Sequence, residues 1–160
     1  MKNTPQQKVT ANVSEDINTQ TFKALRFKVE GSNVNAIEAG LVRSVRVVER
    51  RSTEKNDSGE YKAITGSCAK LVIEVYDSVL VDILTANNAN YKSLECYTVE
   101  VEADEDYLLS IDTEKLKGKK ISLKEAMLAP KWVVKGRSGS YSSLKLVIDR
   151  IEFVSSGGTV

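Results

Sequence analysis

Apolar and polar residues alternate one by one through several short stretches of this chain, and a period of two rich in β-branched side chains suits half-buried strands. Leu25, Phe27 and Val29 share one face of a first stretch, with Ala24, Arg26 and Lys28 on the other. Residues 41–50 set Val45 and Val47 opposite Arg46, Val48 and Arg50. The polar run 51–60, centred on Asn56-Asp57-Ser58-Gly59, is expected to be the loop of a long hairpin whose second arm is residues 61–76. Gly66-Ser67 interrupts that arm and predicts a bulge or bend, after which Leu71, Ile73 and Val75 point inward.

The period then changes. Val79, Leu80, Ile83 and Leu84 recur at helical spacing behind an Asp77 or Ser78 cap, with Asn87-Asn88 as a stop. Alternation returns at Tyr97, Val99 and Val101, and a short apolar run covers 107–111. Residues 122–129 are expected to form a short helix before Pro130. Residues 131–135 and 144–154 predict a strand pair around a turn at 136–140, and a parity switch after Ile148 suggests a second bulge. Phe22, Phe27 and Phe153 are assigned to the core.

Three strands, one helix and further strands, with curvature hinted twice, predict a mainly β fold. The expected form is a small Greek-key barrel of OB type, with one helix between strands 3 and 4 and an added C-terminal hairpin. An antiparallel sandwich or a roll with a helix fits the same order. With 160 residues there is room for one core. Residues 1–19, nearly empty of large apolar side chains, read as a flexible arm, 20–154 as the domain and 155–160 as a flexible tail.

Catalytic chemistry finds little footing. The chain has no His, which removes the usual general base near neutral pH, the Ser-His and Cys-His pairs and every His-bearing zinc site. Cys68 and Cys96 form no CxxC pair, and no GxxxxGK[ST], GxSxG or GxGxxG motif occurs. Asp104-Glu105-Asp106 lacks the glycine-containing calcium loop around it and reads as a solvated turn. The expectation is a non-enzyme with no catalytic residue, metal or cofactor. Two scattered cysteines and an opening, residues 1–8, without an apolar run suggest a reduced cytoplasmic setting and no membrane.

Charge is balanced overall at +1 but not locally. Residues 77–114 hold ten acids against Lys92 alone, and residues 115–150 hold ten bases against Glu125 and Asp149. Aromatic rings sit among the bases: Trp132 and Tyr141 flank the turn with Lys131, Lys135 and Arg137, and Tyr61 stands beside Lys62 near Arg46 of the partner strand. Cations that follow phosphates and flat rings that stack unpaired bases are what holds single-stranded nucleic acid. Trp132, Tyr141 and Tyr61 are therefore the predicted base platforms, and Arg46, Lys62, Lys131, Lys135 and Arg137 the predicted phosphate ligands. A lone Trp is also a common core residue, and opposed charge blocks also solvate a surface or neutralise each other.

Three short segments, Glu114-Lys115-Leu116-Lys117-Gly118-Lys119, Ala129-Pro130-Lys131-Trp132 and Tyr141-Ser142-Ser143-Leu144-Lys145-Leu146, give residues 95–154 a resemblance to a known family. They resemble the OB-fold single-stranded DNA-binding proteins of Gram-positive conjugative plasmids, integrative elements and phages. The resemblance implies binding of the displaced or transferred strand, with no catalysis. RNA is the second polymer of the same chemistry. Residues 155–160 hold no acid, so recruitment of replication enzymes through an acidic tip is not expected. The competing expectations are a protein-interaction accessory module of a conjugation or replication complex, its charge blocks mated in a head-to-tail homo-oligomer, and a phage structural β-domain.

Overall fold

The structure is a computed structural model describing residues 24–29 and 36–155. The expected arm at 1–19, Phe22 and tail residues 156–160 lie outside the described residues. Strands dominate: β1 (Phe27–Lys28), β2 (Ala39–Val48), β3 (Arg51–Lys55), β4 (Tyr61–Ala63), β5 (Lys70–Asp77), β6 (Tyr97–Val101), β7 (Lys120–Ser122), β8 (Met127–Lys135) and β9 (Ser138–Ile148). Among the described residues three helices interleave with them: α1 (Ser78–Ala86), α2 (Glu105–Ser110) and α3 (Thr113–Leu116).

Seven strands build one sheet in the order β1-β8-β9-β6-β5-β2-β7, while β3 and β4 pair only with each other. The β6–β9 pair is parallel and the remaining ladders of the large sheet are antiparallel. The sheet is open, with β1 and β7 at its edges. Its inner face carries the core that the alternation predicts. Leu71, Ile73 and Val75 of β5 and Val99 and Val101 of β6 are fully buried, and Leu108 and Leu116 of α2 and α3 close over the same cluster with Ile121, Leu146 and Ile148. Lining one side of the sheet this way removes the apolar rows of its strands from water, at about 25 cal/mol per Å².

Several local expectations are corrected. The presumed loop at 51–60 is loop only at 56–60, because Arg51 and Lys55 pair with Ala63 and Tyr61. The presumed single arm 61–76 is two strands: Gly66, at φ 82°, turns the chain from the small sheet into the large one. Residues 122–129 form no helix. Leu123 and Ala126 are buried one turn apart, which imitates helical spacing, but Met127 onward is captured by the β9 ladder. Pro130 is tolerated there because β1 pairs with β8 only at Met127 and Leu128, so beyond them β8 is an edge with no ladder to lose on that side. The apolar run 107–111, left without an element by its pattern, forms the end of α2 and its C-cap Ile111.

The parity switch after Ile148 marks the end of β9, not a bulge. The chain bends and returns to β7 through the isolated bridge Ile121–Phe153. Phe27 and Phe153 are exposed, not core, since the first sits on a two-residue edge strand and the second follows the bend. The helix after β5 forms as expected: Asp77 accepts from the Val79 N–H at 3.0 Å and Asn87 ends it.

Candidate nucleic-acid interface

The β8–β9 hairpin turns on two residues, Gly136 and Arg137, between the paired Lys135 and Ser138. Gly136 has φ 63°, as the first position of a type II′ turn requires. Farther down, Lys131 faces Ser143 but Trp132 faces Tyr141, so Ser142 is an extra residue in β9. That bulge brings the two aromatic residues directly opposite each other. Their rings meet edge to face, centroids 5.0 Å apart at 76°. The indole also lies on Gly139: a Cβ there would fall 2.6 Å from its Cε2 and Nε1, so only glycine allows this seat. Trp132 nevertheless keeps 49% of its surface open. It is held in place and is not sealed in the core.

Beside the pair a groove of about 300 Å³ crosses the sheet. Its cations are Arg46 from β2, Lys70 from β5, Lys131 from β8 and Lys145 from β9, against the carboxylates of Glu74 and Glu100. Glu74 is answered from outside the groove by Arg43 at 3.1 Å. Glu100 is 6% exposed and takes Lys70 on one oxygen at 2.9 Å and Lys145 on the other at 2.7 Å. Burial pushes its carboxyl up, but the hydrogen bonds from Lys145 and Lys70 outweigh that and hold it below the usual glutamate value of 4.5. The two ammonium groups are thus fixed in the groove floor, and Lys131 is fixed at its wall by donating to the Thr98 hydroxyl at 2.7 Å. Side chains already held in one geometry lose less freedom when a ligand arrives.

Of the eight predicted site residues, Trp132, Tyr141, Arg46 and Lys131 therefore line one groove. Lys135 and Arg137 are exposed at the far end of the same hairpin. Tyr61 and Lys62 stand apart on β4 in the small sheet, where Lys55 lies 5.5 Å over the Tyr61 ring and Arg51 donates to the Tyr61 carbonyl. The sequence reading missed Lys70 and Lys145. Their signal was slight, each standing just before a buried leucine, Leu71 and Leu146, and nothing local said that β5 and β9 would flank β6.

The charge blocks are partly mutual. Lys120 pairs with Asp82 at 2.6 Å and Lys145 with Glu100, joining basic block to acidic block across the fold. Asp104-Glu105-Asp106 is not merely a solvated turn. Glu105, in the first turn of α2, accepts from Arg50 at 3.0 Å and from the Cys68 N–H at 2.8 Å, and those two bonds hold its carboxyl below the usual value. Cys68 is buried, and desolvation raises its thiol, which keeps it unreactive. Among the described residues no group of three or more Cys, Asp or Glu is placed to hold a metal ion, and no helix is long and apolar enough to cross a membrane. Comparison with protein-family models, with curated proteins and with solved structures finds no significant match to this chain.

Proposed function

We propose that the protein is a non-enzymatic, largely sequence-independent binder of single-stranded nucleic acid, DNA foremost, acting in the processing of plasmid or mobile-element DNA. The observation that carries this reading is the half-open Trp132 ring, seated on Gly139 and edge-on to Tyr141, at a groove with four cations and two carboxylates. Unpaired bases stack on such rings for about 1–3 kcal/mol each while ammonium and guanidinium groups follow the phosphates. Bases in a duplex are already stacked and offer no free face, so the rings discriminate for single strands.

The strand order supports an OB-type barrel, with the β8–β9 hairpin supplying two of its strands and not an added C-terminal hairpin. Taking β2, β5, β6, β8 and β9 as the five barrel strands, the groove lies on the face of strands 2 and 3, the face on which OB-folds bind oligonucleotides. The β3–β4 hairpin with Tyr61 and Lys62, and the β8–β9 turn with Lys135 and Arg137, then stand where such folds carry their two binding loops. The link of only four residues, 123–126, from β7 at one sheet edge to β8 next to the other supports the curvature of such a barrel.

The test is fluorescence anisotropy of a labelled oligonucleotide, with Trp132 emission read in parallel. Emission from the only Trp is expected to be quenched on binding, single strands to bind more tightly than duplex, and Trp132→Ala to weaken binding about tenfold or more while melting normally. Equal affinity for duplex, or a folded Trp132→Ala variant with full affinity, overturns the reading. A protein-interaction accessory module of a conjugation or replication complex is the second reading, favoured by the apolar side chains that α1 leaves open. Self-association without oligonucleotide binding at low salt would support it instead.

A further inference from the structure

The parallel ladder between β6 and β9 starts only at Val99 and Leu146. Upstream of that point no ladder joins the two strands, and between them opens a cleft of about 540 Å³, within the about 300–1,000 Å³ of small-molecule sites. Leu128 and Leu146, both buried, lie at its base, and Ser142 and Ser143 bring hydroxyls to it. Thr98, Lys131 and Lys145 line this cleft and also the groove beside Trp132, so the two cavities adjoin. By strand parity Tyr97 belongs with Val99 and Val101 on the core face, yet 42% of it is open, because the cleft lies where its cover would be.

We infer that the cleft receives an unstacked nucleobase of the bound strand, seated on the Tyr97 ring. The inference rests on the single-strand reading of the groove and extends it to a second base platform. An apolar base, hydroxyls and an aromatic wall suit a flat heterocycle with polar edges. A phosphate does not suit it, because the exposed carboxylate of Glu95 lines the same cleft and no cation pairs with Glu95 among the described residues. Lys131 and Lys145, on the side shared with the groove, are placed for the phosphates on either side of that base. An extended peptide pairing with the open edges of β6 and β9 is the competing occupant, but a cleft that adjoins four cations and an edge-to-face aromatic pair favours a polyanion carrying bases.

The experiment measures affinity for oligothymidylates of increasing length, up to about 16 nucleotides, with the full chain and four variants. Tyr97→Ala is expected to bind the longer oligomers about tenfold more weakly while Trp132 is still quenched at saturation, and Tyr97→Phe to bind as the unaltered protein does. Ser143→Trp, which fills the cleft from an exposed position, is expected to reproduce the loss. Tyr97→Ala and Ser143→Trp binding as tightly as the unaltered protein at every length, while Trp132→Ala is weakened, overturns this inference and leaves the groove reading standing. An unaltered protein that binds no oligonucleotide overturns both.

Discussion

Two single residues set the character of the groove. Gly139 is needed because the indole occupies the space of its missing Cβ, and Ser142 is needed as the extra residue that turns Trp132 and Tyr141 to face each other. In the sequence Gly139 was visible only as part of a polar turn, and Ser142 only as a polar residue just beyond it. Glu100 is the third residue of this kind: a buried carboxylate that orders two lysines. Replacing it by Gln leaves Lys145, itself only 11% exposed, without its counter-charge and is expected to cost roughly 3 kcal/mol at neutral pH. Its carboxyl is depressed in the folded state, so the stability it adds is fully present above the usual 4.5 and is lost as pH falls through the lowered value. Urea unfolding between about pH 6 and about pH 3 is expected to show stability falling below about pH 5, with a shallower fall in Glu100→Gln. An unchanged pH profile in that variant would remove the triad as the cause. Glu105 contributes to the same fall, since its carboxyl is depressed too, by Arg50 and the Cys68 N–H.

Among the elements, α1 is the one whose sequence pattern and burial disagree most. Its apolar spacing is helical, and the helix forms, but Val79 and Ile83 point to water, Ile83 with 52% of its surface open, while Val81 and Ser78 face the sheet. Periodicity identified the helix and could not say which side would be covered, because apolar residues lie on more than one face of it. Ile83→Lys is therefore expected to change unfolding free energy by about 0.5 kcal/mol or less, whereas Val81→Ala costs about 1–3 kcal/mol. Thermal or urea denaturation of the two variants checks the contrast, and a large loss with Ile83→Lys would mean that something covers that face in solution. The β8–β9 hairpin was legible from its turn glycine and its aromatic residues. The strand at 127–130 was not, because Leu123, Ala126 and Ala129 have helical spacing and Pro130 argues against a strand wherever the neighbouring edge is unknown.

At the scale of the whole molecule the net charge of +1 conceals a groove with an excess of cations. Arg46, Lys70, Lys131 and Lys145 come from four strands, and the Lys70 and Lys145 charges are already half-answered by Glu100. Each phosphate neutralised on a single strand contributes about −0.7 to the slope of log K against log salt. Titrations at several salt concentrations are thus expected to give a slope of about −1.5 to −3, and a slope near zero would mean that the groove does not meet phosphates. The sequence by itself determined that this is a mainly β chain, that its core rows are Leu71-Ile73-Val75 and Val99-Val101, that a helix follows Asp77, and that rings and bases share one hairpin. Those properties are local: alternation, caps and turn residues act within a few positions of one another. Only the tertiary structure decided that β9 runs parallel to β6, which carries Lys145 to Glu100, sets Arg46 in one groove with Trp132 and opens the cleft beside Tyr97. Pairing between residues 47 positions apart, as Val99 and Leu146 are, follows from burying all the apolar rows in one core at once, a condition no single stretch of the chain contains.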